Sequence, residues 1–162
     1  MNWLTLISTL LGAVVGVGTT LLADRARWGR ERQAQTLEHR RALYGEFLTT
    51  LNLAQESLFA VSYGRHPAEL TRDLAARAAF GSHQVYAVRE RLVLSGCEPV
   101  VAAADAAFHR LKEFRDVVGS GAAPTSPEVM EAITAYAAEL RTLRHAMRDD
   151  LGEPRLEIDI SN

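Results

Sequence analysis

Cysteine is nearly missing from the sequence. The single Cys97 excludes an intramolecular disulfide framework and any four-cysteine zinc or iron–sulfur site. An excess of either charge is missing too: 18 Lys plus Arg against 20 Asp plus Glu exclude a strongly basic nucleic-acid binder. Proline does not occur between Ala23 and His66, so nothing there forces a helix to stop. There is no internal repeat and no strand-rich stretch. What remains, 48% apolar and 23% charged residues over 162 positions, suffices for one domain folded around a core.

The most informative absence is local. Residues 1–23 carry no charged side chain, and Trp3 to Ala23 reads WLTLISTLLGAVVGVGTTLLA. As a helix these 21 residues reach roughly 31 Å, about the thickness of a bilayer hydrocarbon core. Two other readings fit less well. A secretory signal peptide needs a basic start and a small-residue cleavage site, and Met1-Asn2 and Leu21-Leu22-Ala23 supply neither. A buried core helix seldom runs so far without a charge. The expectation is a transmembrane anchor over residues 1–23.

Charge then orients the anchor. Residues 24–45 hold Arg25, Arg27, Arg30, Arg32, Arg40 and Arg41 against Asp24, Glu31 and Glu38, a net of +3. Arg beside one end of a span marks the cytoplasmic side, so the N-terminus is expected outside and the rest in the cytoplasm of a bacterial inner membrane. Trp3 and Trp28 fit as interfacial aromatics. The same six Arg are the juxtamembrane basic residues that anionic headgroups would attract, although the interleaved acids weaken that field. From Glu46 onward 12 basic residues face 17 acidic ones, a net of −5, which argues against nucleic acid as a partner.

Within the span Ser8, Gly12, Gly16 and Thr20 recur every fourth residue and share one helix face. Gly12-x-x-x-Gly16 is the spacing that lets two helix backbones approach closely in lipid. The expected partner there is a second copy or another membrane protein.

The rest of the chain reads as helix. Leu37, Tyr44, Leu51 and Leu58 are seven apart, with Arg40, Phe47, Ala54 and Val61 three residues beyond each. That coiled-coil-like stripe predicts a long helix ending near Ser62 to Gly64. His66-Pro67 is read as opening a second helix with an inner face of Leu70, Leu74, Ala78, Val85, Val88 and Leu92, and with a kink or break at Gly81-Ser82. A third runs from Glu98-Pro99 to a capping Gly119, carrying Val101, Ala104, Phe108, Leu111 and Val118. A fourth is capped by Thr125 or Ser126, follows Val129, Ile133, Tyr136, Leu140, Leu143 and Met147, and ends at Gly152. The expected fold is all-α: a transmembrane helix (1–23), an Arg-rich stalk (24–36), an antiparallel bundle of about four helices (37–152) and a flexible tail (153–162).

Chemistry is sparse. His109 with Glu113 and His145 with Asp149 stand four apart on helix faces, a spacing more often a solvated pair than a metal site. Cys97 beside Glu98 lacks the electropositive setting a reactive thiol needs, and Ser82-His83 forms no recognisable nucleophile–base pair. No catalytic residue, metal ligand or cofactor site is assigned.

The stretch ADRARWGRERQAQTLEHRRALYGEFL, with Arg40-Arg41-x-Leu43-Tyr44-x-x-Phe47-Leu48 at its end, resembles small single-pass membrane proteins of high-GC, actinobacterial-type bacteria. The Arg usage, 17 of the 18 basic residues, agrees with such a source. The resemblance covers the span, the stalk and this motif, and the later helices in general layout alone. It implies an inner-membrane protein with a cytoplasmic helical region and carries over no activity, cofactor or catalytic residue. From the residues themselves, Leu43, Tyr44, Phe47 and Leu48 begin the bundle packing and the Arg pair is expected to face water. The leading expectation is a membrane-tethered helical scaffold or adaptor with a cytoplasmic protein partner. A holin- or spanin-like lysis accessory and a bundle that binds a small ligand are its rivals.

Overall fold

The computed structural model describes residues 3–154, with side chains at residues 27, 28 and 31–154. Among the described residues the chain is all-α, with five helices: α1 (Trp3–Ser62), α2 (Arg72–Gly81), α3 (Val85–Ser95), α4 (Glu98–Gly119) and α5 (Pro127–Asp150). The chain divides between His39 and Arg40 into two compact units. In the first, Arg27 Nε donates to Glu31 Oε1 at 3.0 Å one turn along the helix, and Trp28 is exposed. Ser8, Gly12, Gly16, Thr20, Arg25 and Arg30 lie outside the residues whose side chains are described.

The second unit is a helical bundle. The heptad stripe of α1 is its spine: Tyr44, Phe47, Leu51, Ala54, Leu58 and Val61 are all buried. Repetition every seven residues keeps one narrow face of a helix against its neighbours for its whole length. The stripe of α5 behaves likewise, with Val129, Tyr136, Leu140, Leu143 and Met147 buried and Ile133 partly so. Ser126 caps α5 by accepting from the Val129 N–H, and Pro127 sits where no intrahelical donor is needed.

The second expected helix is two helices, and its first part differs in phase. Pro67 to Leu70 form a turn (Leu70 N–H to Pro67 O, 3.1 Å), and α2 starts at Arg72 because Thr71 offers the side-chain cap for the Leu74 N–H. Gln84 adopts a left-handed backbone (φ +57°), which separates α2 from α3 and resets the helical phase. Val85, Val88 and Leu92 point inward as expected. Carried back across the break, the same phase names Leu74 and Ala78, whereas Ala75, Ala76 and Phe80 are the buried residues. The end of α4 also shifts. The capping residue is Ser120, and the left-handed turn that follows falls on Gly121 (φ +91°), not on Gly119.

Two side-chain groups tie the elements together. Phe80, Tyr86 and Phe108, from α2, α3 and α4, meet edge to face with centroids 5.4–5.6 Å apart. Arg72 donates to the carbonyls of Ser62 (2.8 Å) and Ala122 (2.9 Å), holding the end of α1 beside the loop that leads into α5. Because Arg40 and Tyr44 of α1 meet Asp150 at the end of α5, the bundle part of α1 runs antiparallel to α5.

Candidate functional site

Among the described residues a polar cluster lies where residues 40–44 of α1, the residues just before α4 and the end of α5 converge. Arg40 and Tyr44 are one turn apart and face the same way. Arg40 Nη1 donates to both oxygens of Asp150, at 3.0 and 3.2 Å, and Tyr44 Oη donates to Asp150 Oδ2 at 2.7 Å. The Cys97 thiol lines the same cleft as Asp150. The carboxylate is thus held by two side chains of α1 while only 10% exposed. Arg40 therefore does not face water, as the sequence suggested. A carboxylate taken out of water needs an opposite charge, and Arg40 is the one the fold supplies.

Protonation follows from this geometry. Burial would raise the Asp150 carboxyl, but the hydrogen bond from Tyr44, the neighbouring Cys97 thiol and the Arg40 charge outweigh it, so it sits below the ordinary carboxylate range. The Tyr44 hydroxyl is pushed well up, first by burial and then by its bond to the Asp150 anion. The Cys97 thiol is raised by burial and by Asp150, against a lowering bond from the Val100 N–H. A thiol kept protonated is a poor nucleophile.

Beside this cluster a cleft of about 720 Å³ runs between α4 and α5, lined by Pro99, Ala103, Thr142, His145, Ala146 and Asp149 together with Cys97 and Asp150. His145 and Asp149 thus share a cleft wall, and His145 Nδ1 is buried with no partner among the described residues. Among those residues no group of three or more His, Cys, Asp or Glu is placed to hold a metal ion. His109 does not pair with Glu113. Its Nδ1 donates to the Asp105 carbonyl at 2.8 Å, and Glu113 takes Arg110.

Ser82 turns its hydroxyl to the Ala79 carbonyl, while His83 Nε2 meets Ser57 Oγ of α1 at 2.8 Å. That contact is invisible in the sequence because it spans 26 residues, and its described surroundings hold no acid bonded to the ring. Of the six Arg of the basic stretch, Arg40 and Arg41 belong to the bundle, Arg41 pairing with Glu153 at 3.0 Å. Arg27 and Arg32 are exposed.

Among the residues whose side chains are described, no stretch of helix is long and apolar enough to cross a membrane, and Trp3 to Ala23 lies outside them. Comparison with protein-family models, with curated proteins and with solved structures finds no match to this chain.

Proposed function

We propose that the chain is a membrane-anchored helical scaffold or adaptor, tethered by Trp3–Ala23 with its bundle in the cytoplasm of a bacterial inner membrane, where it meets a protein partner. The carrying observation is the uncharged 21-residue segment followed at once by an Arg-rich stretch, with no comparable basic run elsewhere. The bundle contributes a surface for the partner: on α3, Leu94 is 85% exposed, with Tyr86 and Val93 also exposed. Apolar residues of that size on a surface helix favour contact with another protein.

Protease accessibility tests the arrangement on the full chain carrying a C-terminal tag. The tag is expected to resist protease added to spheroplasts and to be cut in inverted membrane vesicles, with the protein staying in the membrane fraction at alkaline pH. Cleavage in spheroplasts would put the bundle outside and favour a spanin-like role; release at alkaline pH would remove the anchor.

The face of Ser8, Gly12, Gly16 and Thr20 supports lateral association of the span with a second copy or with another membrane protein. Replacing Gly12 and Gly16 together by Leu is expected to abolish the signal of a membrane two-hybrid self-association assay. An unchanged signal would place self-association elsewhere. The α4–α5 cleft favours a second reading, a bundle that binds a small ligand, and a thermal shift in a metabolite screen would raise it above the adaptor reading.

A further inference from the structure

Among the described residues Gln84 alone combines a side chain with a positive φ (+57°), and it stands between two helices. On one side the Ser82 N–H still bonds to the Ala78 carbonyl at 2.9 Å, and on the other the Val88 N–H bonds to the Gln84 carbonyl at 3.0 Å. Helical hydrogen bonding therefore reaches the turn from both ends, and the left-handed residue parts α2 from α3. A side chain in that region crowds its own backbone, which is why glycine usually fills it. Gly81, Ser82 and Gln84 are exposed, and a Cβ at Gly81 would meet nothing within 4 Å. His83 ties the turn to Ser57 of α1.

Turned to a right-handed backbone, Gln84 would join residues 72–95 into one helix. Leu74, Ala78, Gly81, Val85, Val88 and Leu92 would then follow one another at alternating steps of four and three along one face. In the bent chain Leu74 is 52% exposed while Val85, Val88 and Leu92 are buried, so the sequence carries a phase that the bend uses only in part. Straightening within a single chain would draw α3, α4 and α5 away from α1 and α2 and return buried apolar surface to water. A second copy of the chain removes that loss, because it offers the same surfaces.

We infer that the α2–α3 turn is an exchange hinge, at which two copies of this chain straighten and swap halves. The bundle part of α1 and α2 of one copy then pack on α3, α4 and α5 of the other. Contacts that join the halves within one chain are re-formed between chains: Glu46 with Arg91, Phe59 against Phe114 and Phe80 against Phe108. The polar cluster is completed in the same way, with Arg40 and Tyr44 from one copy and Asp150 from the other. The bent and exchanged arrangements share these contacts and differ at the hinge, where exchange releases Gln84 of each copy from the left-handed region.

Cross-linking of two full-length copies, made together in one cell on a Cys97→Ser background, tests the exchange. One copy carries Glu46→Cys and the other Arg91→Cys, and a short bis-maleimide bridges the place of the lost ion pair. A dimer-sized product joining the two copies is expected. A chain carrying both substitutions cross-links in either arrangement and shows that the reagent reaches across the pair. Gln84→Val disfavours the left-handed backbone further and should raise the mixed product. Gln84→Gly tolerates that backbone and should lower the product roughly fivefold or more. No mixed product with either Gln84 or Gln84→Val, while the doubly substituted chain cross-links, would overturn the proposal. So would a mixed product equally abundant in Gln84→Val and Gln84→Gly, which would assign the association to another surface.

Discussion

Replacing Phe114 by alanine is expected to lower the unfolding free energy of the bundle by about 3–5 kcal/mol, the usual cost of removing a fully buried ring. Phe114 is 0% exposed on the inner face of α4 and leans on Phe59 of α1, ring centroids 5.3 Å apart at 57°. Its loss removes both the transfer of the ring from water and the contacts its neighbours make with it, and close-packed helices cannot collapse fully into the space. A domain of this size has about 5–15 kcal/mol in all, so the variant should sit near the unfolding threshold at growth temperature. Urea denaturation of the full chain, followed by circular dichroism, measures the effect as a lower midpoint with little change in slope. Phe59→Ala should cost less because that ring is only partly buried. The double variant should cost less than the sum of the two, since the shared contact is lost once. A Phe114→Ala loss below about 1 kcal/mol would contradict the packing of α4 against α1.

Helix existence was legible in the sequence wherever a stripe repeated over several turns, and the reason is physical. On α1 and α5 the same face meets neighbours for five turns or more, so each buried residue predicts the next; Tyr44 to Val61 and Val129 to Met147 follow that rule. Between Pro67 and Gly81 the rule fails. The helix α2 has only 10 residues, its cap Thr71 competes with Pro67 as a start signal, and the left-handed Gln84 disconnects its phase from that of α3. The polar cluster was half legible. Tyr44 and Arg40 stand in a recognisable motif, but their acceptor Asp150 lies 106 and 110 residues away, at a helix end where an acid has no local reason to be singled out. Leu94, the most exposed large apolar residue among those described, could not be told from a core leucine, because α3 is short and apolar on more than one side.

Asp150→Ala should be the other severe change. It leaves Arg40 and the Tyr44 hydroxyl, both partly withdrawn from water, without their shared acceptor. Hydrogen bonds to a charged group contribute about 1.5–3 kcal/mol, and a stranded donor adds its own desolvation cost, so a loss of about 2–4 kcal/mol is expected. Asp150→Asn separates the parts. The amide oxygen still accepts one bond but offers neither the second oxygen nor the charge, so the loss should be smaller. The pH dependence carries the sharper signature. The folded carboxyl sits below the value of an unfolded Asp, which is about 3.9, so the folded state binds fewer protons there. Its contribution is therefore complete above that value and drains away as pH falls through the lower folded pKa. Urea midpoints measured from neutral pH downward should fall over that acid window in the native chain. In Asp150→Asn the same curve should be flatter, because the group that titrates is gone. A variant whose acid dependence parallels the native curve would assign the acid sensitivity to other carboxylates and reduce the Asp150 cluster to a solvated ion pair.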